Sequence, residues 1–252
     1  MKAFVVTGSV IVCLSMLLAA PSNAATVLVD EQFSHPDGPL DGLTPVPGPG
    51  GEWTNHSGTV GSLPVVGGAA LLTQDGGSGD SHTSFAALTT GVVTASFDIV
   101  VNAPGAMTGS DFEFFAHFWQ STATTSFRSR TDIVAPGTAG GDYSIGIATQ
   151  ASTAEVTLGD LVGFNFGDIV PVVITFDIDA GTSSLTAGGQ TIYTAVVSTG
   201  QVIDAFALRQ STSSSLETIL VDNLVVTHEI PEPASVALMA MGITAVGLRR
   251  RG

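Results

Sequence analysis

Two short stretches place carboxylates at alternate positions, the spacing that puts both on one side of an extended strand: Asp111-Phe112-Glu113 and Asp177-Ile178-Asp179. Asp177 and Asp179 would stand about 6.5 to 7 Å apart along a strand. A retaining glycosidase needs its acid and its nucleophile about 5 to 5.5 Å apart, so these pairs raise the question of sugar hydrolysis. Solvation is the simpler reading, because acids favour outward positions. Between Ala25 and His228 the chain has three arginines, no lysine and twenty acids, a formal charge of −17. Such a surface repels phosphate backbones and anionic lipid heads, which excludes nucleic acid and electrostatic membrane adsorption. The histidines, His35, His56, His82, His117 and His228, lie in no Gly-x-Ser-x-Gly or His-Glu-x-x-His context and have no zinc-site spacing. The absence of lysine between Ala25 and His228 removes a phosphate-cradling loop of the Gly-Lys-Ser/Thr type.

Binding chemistry is concentrated in Asp111 to Gln120. On a regular strand Phe112, Phe114 and Phe118 share one face, and Glu113, Phe115, His117 and Trp119 share the other. One face must be core. The second is either a ligand face built from Glu113, Phe115, His117 and Trp119 or the second buried side of a central strand. Arg128 and Arg130 follow at alternate positions of the next expected strand, where they pair with acids or with anionic sugars; the charge balance favours acids.

The elements that carry these residues lie between two segments of different character. Lys2 precedes an apolar run from Ala3 to Ala20, then Pro21 and Ser22-Asn23-Ala24, the small-residue pattern of a signal-peptide cleavage site between Ala24 and Ala25. Residues 1–24 are thus expected to be removed on export. The single cysteine, Cys13, leaves with them, so no disulfide or thiolate site is expected after cleavage. At the other end Ile230-Pro231-Glu232-Pro233 leads into apolar residues from Ala234 to Leu248 and then Arg249-Arg250-Arg251-Gly252. As a helix the apolar run spans roughly 22 Å, short of the roughly 30 Å hydrocarbon core, a length suited to transient anchoring. The arginines and Lys2 would stay cytoplasmic, with everything between them across the membrane. Pro231, Glu232 and Pro233, the short apolar run and Arg249, Arg250 and Arg251 together resemble the PEP-CTERM sorting signal of Gram-negative bacteria. The resemblance covers residues 229–252. It implies processing by exosortase, a membrane-embedded enzyme, transient anchoring in the inner membrane, and a final place at the cell surface or in an exopolysaccharide matrix.

Residues 25–228 read as one all-β domain. Ala95, Phe97, Ile99 and Val101 alternate with polar positions within Thr94 to Asn102, and Val172, Ile174, Phe176 and Ile178 do so within Val172 to Asp179. Further strands are expected at 27–33, 69–73, 111–120, 143–148, 184–187, 205–210 and 219–227. Turn clusters at Gly76-Gly77-Ser78-Gly79, Asn102-Ala103-Pro104-Gly105 and Ala180-Gly181-Thr182 separate them. Many short strands with glycine-rich turns predict a sandwich or jelly roll.

Asp30-Glu31-Gln32-Phe33, Pro36-Asp37-Gly38-Pro39-Leu40, Glu52-Trp53, Val65 to Leu71 and Val221-Asp222-Asn223-Leu224-Val225-Val226, in that order, resemble concanavalin A-like, LamG-type jelly-roll domains. That resemblance implies pairing of the first strand with the last and an aromatic face that stacks on sugar rings. It also implies a structural calcium held by Glu31, a carbonyl of Gly67 or Gly68, and Asp222; solvation of a strand end is the competing reading of Asp222. No other cofactor is expected. Laminarinase-like hydrolases on this fold carry Glu-x-Asp-x-x-Glu, and neither carboxylate pair here continues to the third acid. The expectation is an exported, non-catalytic surface or matrix protein that meets an exosortase-type enzyme and binds surface or matrix polysaccharide. A purely structural matrix role is its rival.

Overall fold

Period-two alternation builds the core. In the strand Val92–Asn102, Val93, Ala95, Phe97, Ile99 and Val101 are buried and the intervening residues are not. Ile169–Asp177 repeats the pattern with Val170, Val172, Ile174 and Phe176. The structure is a computed structural model that describes residues 25–231, apart from 60, 106, 108–112, 124–125 and 214. Expectations for residues 1–24, for Asp111 and Phe112, and for 232–252, including the two terminal helices, lie outside the described residues.

Sixteen strands are described: β1 (Thr26–Glu31), β2 (Gly38–Pro39), β3 (Thr54–Gly58), β4 (Pro64–Val66), β5 (Ala69–Thr73), β6 (Asp75–Leu88), β7 (Val92–Asn102), β8 (Glu113–Trp119), β9 (Phe127–Val134), β10 (Ser144–Ala148), β11 (Val156–Thr157), β12 (Ile169–Asp177), β13 (Thr182–Ala187), β14 (Gln190–Tyr193), β15 (Ile203–Thr212) and β16 (Thr218–Glu229). They form a nine-stranded sheet in the order β14-β13-β12-β7-β16-β5-β4-β2, with β1 also paired to β16, and a seven-stranded sheet in the order β11-β10-β9-β8-β15-β6-β3. The chain crosses between sheets at β2 to β3, β3 to β4, β5 to β6, β6 to β7, β7 to β8, β11 to β12, β14 to β15 and β15 to β16. This is an all-β jelly-roll sandwich, and among the described residues no helix is long and apolar enough to cross a membrane.

The first strand pairs with the last as expected, with Val27 opposite Thr227 and Glu31 opposite Leu224. One long strand, β16, serves two neighbours on the same side: its first half pairs with β5 and its second with β1. The change of partner falls at Asp222-Asn223, where the register against β7 slips. Asn223 takes the left-handed conformation there, φ 54°, and Asn tolerates it better than most residues.

Gly76-Gly77-Ser78-Gly79 is not a turn but the first part of β6. The stretch is held on both sides, by β15 and by β3, and paired neighbours override weak local preference. Glycine is required at the crossing point, because a Cβ on Gly58, at φ 92°, would come 2.2 Å from the Ser78 carbonyl oxygen.

The sheets meet over Phe97, whose ring lies 6.2 Å from Phe115 and 5.9 Å from Phe206, with Phe118 against Phe206 at 5.8 Å. Phe97→Ala should therefore cost about 3–5 kcal/mol of unfolding free energy. Val100→Ala, on the outer side of the same strand, should cost about 1 kcal/mol or less. Urea unfolding measures both, and equal losses would contradict the packing described.

Candidate functional site

The face of β8 that looks away from the nine-stranded sheet is set by one extra residue. Against β9, Phe114 lies opposite Asp132 and Ala116 opposite Thr131, so two steps along β8 match one along β9 and Phe115 is the inserted residue. From Ala116 to Phe118 the mismatch reverses, with the extra residue on β9, where Ser129 has φ 52°. A bulge shifts the side-chain alternation by one. Phe115 therefore turns inward, fully buried in the core with Phe118, and Phe114 joins His117 and Trp119 on the outer face. This corrects the regular-strand expectation for Phe115. Nothing is described of the Glu113 side chain; its backbone pairs with Ile133.

Neighbouring strands complete the outer face. On β15, Ala205 lies opposite Trp119 and Ala207 opposite His117; His82 of β6 lies opposite Ala207. Two methyl groups leave room for the Trp119 indole to reach across β15. It stacks on His56 of β3 at 4.1 Å, meets His82 edge-on at 5.0 Å, and lies parallel to Phe127 of β9 at 6.4 Å. The indole N–H donates to the Ala123 carbonyl at 3.0 Å. Only 7% of Trp119 is exposed. The rings presented at the surface are the partly exposed His56 and Phe127.

Arginines flank Phe114. The guanidiniums of Arg130 and Arg209 lie 4.4 and 4.3 Å from its ring centre, and Arg130 is also 4.4 Å from Phe127. Cation–π contacts of this kind hold a planar cation in one orientation. Arg209 faces Asp80 at 3.4 Å and donates to Ser211 Oγ at 3.0 Å; Asp80 also accepts from Ser57. Arg128 donates instead to the Phe127 carbonyl and to Gln201, so the two arginines of β9 do different work.

His117 sits among these groups with 0% exposure and no hydrogen-bond partner on either ring nitrogen. Phe114 and Phe127 meet its ring edge-on at 5.3 and 5.0 Å. Burial first, then the charges of Arg130, His56, Arg209 and His82, holds its pKa well below the ordinary imidazole value. His56 is pushed down to about 4 by burial and then by His82, whose own pKa is lowered by burial. Burial lowers Arg130 to about 10, with Arg209 adding to it, and raises the Asp80 carboxyl. At neutral pH the three imidazoles are uncharged and the positive charge of the face belongs to the arginines.

Glu31 is buried with both oxygens engaged. Oε1 accepts from the Phe33 N–H at 2.6 Å and the Val46 N–H at 3.4 Å; Oε2 accepts from the Trp53 indole N–H at 3.0 Å and lies 3.2 Å from His35 Nε2. These donors would compete with a cation there. Gly67 donates its N–H to Asp37 at 2.8 Å in the β4–β5 turn that it makes with Gly68. Asp222 lies opposite Asp98 of β7 and accepts from the Asn223 N–H at 2.7 Å, while the Asn223 amide donates to Asp98 at 2.9 Å. Burial, then Asp98 and Glu31, raises the Asp222 carboxyl. Among the described residues no three His, Asp or Glu side chains converge as a metal-holding group. Asp177 and Asp179 cap backbone instead, accepting from the Ala180 and Gly91 N–H groups at 2.8 and 2.9 Å.

Of the residues expected at a ligand face, His117 and Trp119 are brought together and Phe115 is not. His56, His82, Phe114, Phe127, Arg209 and Asp80 were missed. Their only sequence signal is aromatic or charged character; what assembles them is pairing between strands distant in sequence.

Beyond the sandwich, the chain's last described residue, Pro231, is exposed and opens the terminal segment. Residues 229–251 match the PEP-CTERM protein-sorting motif. The motif marks the chain as an exported protein sorted through the exosortase pathway. No curated protein matches the chain. Similar solved structures include the alginate lyase Aly36B, at 11% identity over 68% of this chain and 84% of that one with a TM-score of 0.47. The lectin UEA-II complexed with galactose is similar at 14% identity over 83% of this chain and 100% of that one, TM-score 0.44. An alginate lyase from Alteromonas sp. 272 is similar at 10% identity over 71% and 95%, TM-score 0.40.

The lowered His56 pKa has a pH consequence of definite sign. Below the ordinary value of 6.5 the unfolded chain takes up a proton that the folded chain resists until about pH 4. Stability contributed by the His56 stack is thus present above pH 6.5 and lost as pH falls through that window. Between about pH 7 and pH 4.5 the urea midpoint of His56→Phe, which keeps the stack without the proton, should fall less than that of the parent. Equal falls would contradict the buried, neutral imidazole.

Proposed function

We propose that the protein is a non-catalytic module of a Gram-negative cell surface or exopolysaccharide matrix, and that the outer face of its seven-stranded sheet binds carbohydrate. The observation that carries the reading is the assembly on that face: His56, Trp119 and Phe127 in a stack, with Arg130 and Arg209 flanking Phe114. Sugar sites combine flat apolar surface for the ring's C–H face with a few fixed polar groups that set orientation. A face that is locked by stacking before the ligand arrives loses little side-chain freedom on binding.

The non-catalytic part of the proposal draws its support from the carboxylates. Asp177 and Asp179, the alternate carboxylates of the sequence, accept from turn N–H groups at the end of β12 in the other sheet. Export through removal of residues 1–24 and passage through the inner membrane, with the apolar tail as a temporary anchor, are parts of the same proposal.

The rival is a purely structural matrix role. The purified protein on a glycan array should bind at least one polysaccharide without cleaving it. Joint replacement of His56 and Phe127 by alanine should abolish binding with the melting transition retained, and Asp98→Ala on the other sheet should leave binding intact. Binding to no glycan would favour the structural role, and hydrolysis of a β-glucan would overturn the non-catalytic reading.

A further inference from the structure

All three arginines of residues 25–228 lie on the seven-stranded sheet, two on β9 and one on β15. Arg209 and Arg128 have acceptors inside the protein. Arg130 does not: half-buried between Phe114 and Phe127, it donates no hydrogen bond to any described residue, and its Nε, like that of Arg128, is buried without a partner, so that of the two only Arg130 leaves its whole fork unpaired. Asp80 and Asp132 act on it through charge alone. A guanidinium carries five N–H donors in a planar fork, and a buried donor left unsatisfied costs about 1–3 kcal/mol. The fully buried His117, whose ring meets the same Phe114 and Phe127 edge-on, has two ring nitrogens without a hydrogen-bond partner. Unsatisfied buried polar groups are rare enough in native folds that two around the same pair of rings need an explanation.

We infer that the glycan bound on this face is acidic, a chain of uronic acids, and that a sugar carboxylate takes the Arg130 fork. The inference rests on the carbohydrate-binding reading. The stacked rings fix the guanidinium plane, so the fork is oriented before the ligand arrives, and bidentate pairing to a planar carboxylate is the geometry that it suits best. Charge distribution favours the same ligand. Over most of a domain with twenty acids an anion is repelled; on this sheet Arg130 and Arg209 stand against Asp80, Asp132 and Asp204, so an approaching carboxylate meets positive charge there.

The test compares polygalacturonate, polymannuronate and polyguluronate, each against its carboxyl-reduced neutral form, with dextran sulfate as a sulfate-bearing control, by calorimetric titration of the purified protein. At least one polyuronate should bind, its neutral form about tenfold or more weaker, with affinity falling as sodium chloride is raised. Arg130→Gln should abolish the preference, and Arg128→Gln should leave it. Should Arg130→Gln not fold, the neutral comparison and the salt dependence of the parent decide alone. Equal binding of neutral and acidic forms would overturn the inference while leaving the carbohydrate reading standing. Binding to dextran sulfate alone would overturn the carboxylate assignment, and binding to no glycan would remove both.

Discussion

The single-residue slip at Phe115 governs the face on which the functional argument turns. Without it Phe114 would point into the sandwich, Phe115 would stand outside, Arg209 would lose the Phe114 ring and Arg130 would keep only Phe127. With it Phe115 closes the core against Phe97, and Phe114 rises between Arg130 and Arg209. The slip is confined because β9 answers with its own bulge at Ser129, whose hydroxyl donates into the opposite sheet at Thr175 and lies 2.8 Å from Ser183 Oγ. Two irregularities, one on each strand, restore the register by Phe118 and Trp119.

Electrostatics then follows from scarcity. A domain with three arginines cannot spread positive charge, and the fold gathers it on one sheet, where for Arg130 aromatic rings take the place of acceptors. His117 stays neutral because burial and the neighbouring arginines oppose protonation, and His56 because burial and His82 do, so charge there is fixed rather than switched near neutral pH. The two small residues of β15, Ala205 and Ala207, are as important as the large ones, since they let Trp119 bridge from β8 to β3 and tie three strands into one rigid surface.

Much of the sandwich was legible in the sequence because it rests on local alternation. The inward faces of β7 and β12 follow from period two, and the pairing of β1 with β16 follows from a family resemblance at both ends. The glycine run 76–79 misled because its conformation is imposed by two partner strands, not by its own preference. Phe115 misled because a bulge leaves no mark in the residue pattern. His56 and His82 lie 26 residues apart and meet Trp119 only through β3–β6–β15–β8 pairing, an order that no spacing encodes. Glu31 and Asp222, read as calcium ligands by resemblance, have local tasks that were equally hidden: one gathers the Phe33, Val46 and Trp53 donors, and the other marks the point where β16 changes neighbours.

The measurement that bears most directly on the central claim is a map of the contact surface by NMR, following the ring resonances of His56, His117 and Phe127 and the guanidinium resonances of Arg130 and Arg209 as a polyuronate is added. The account predicts shifts at these groups, with the side chains of Asp98, Val100 and Asp222 on the outer side of the nine-stranded sheet unmoved. Shifts confined to that second surface, with Arg130 and Phe127 unchanged at saturation, would contradict it.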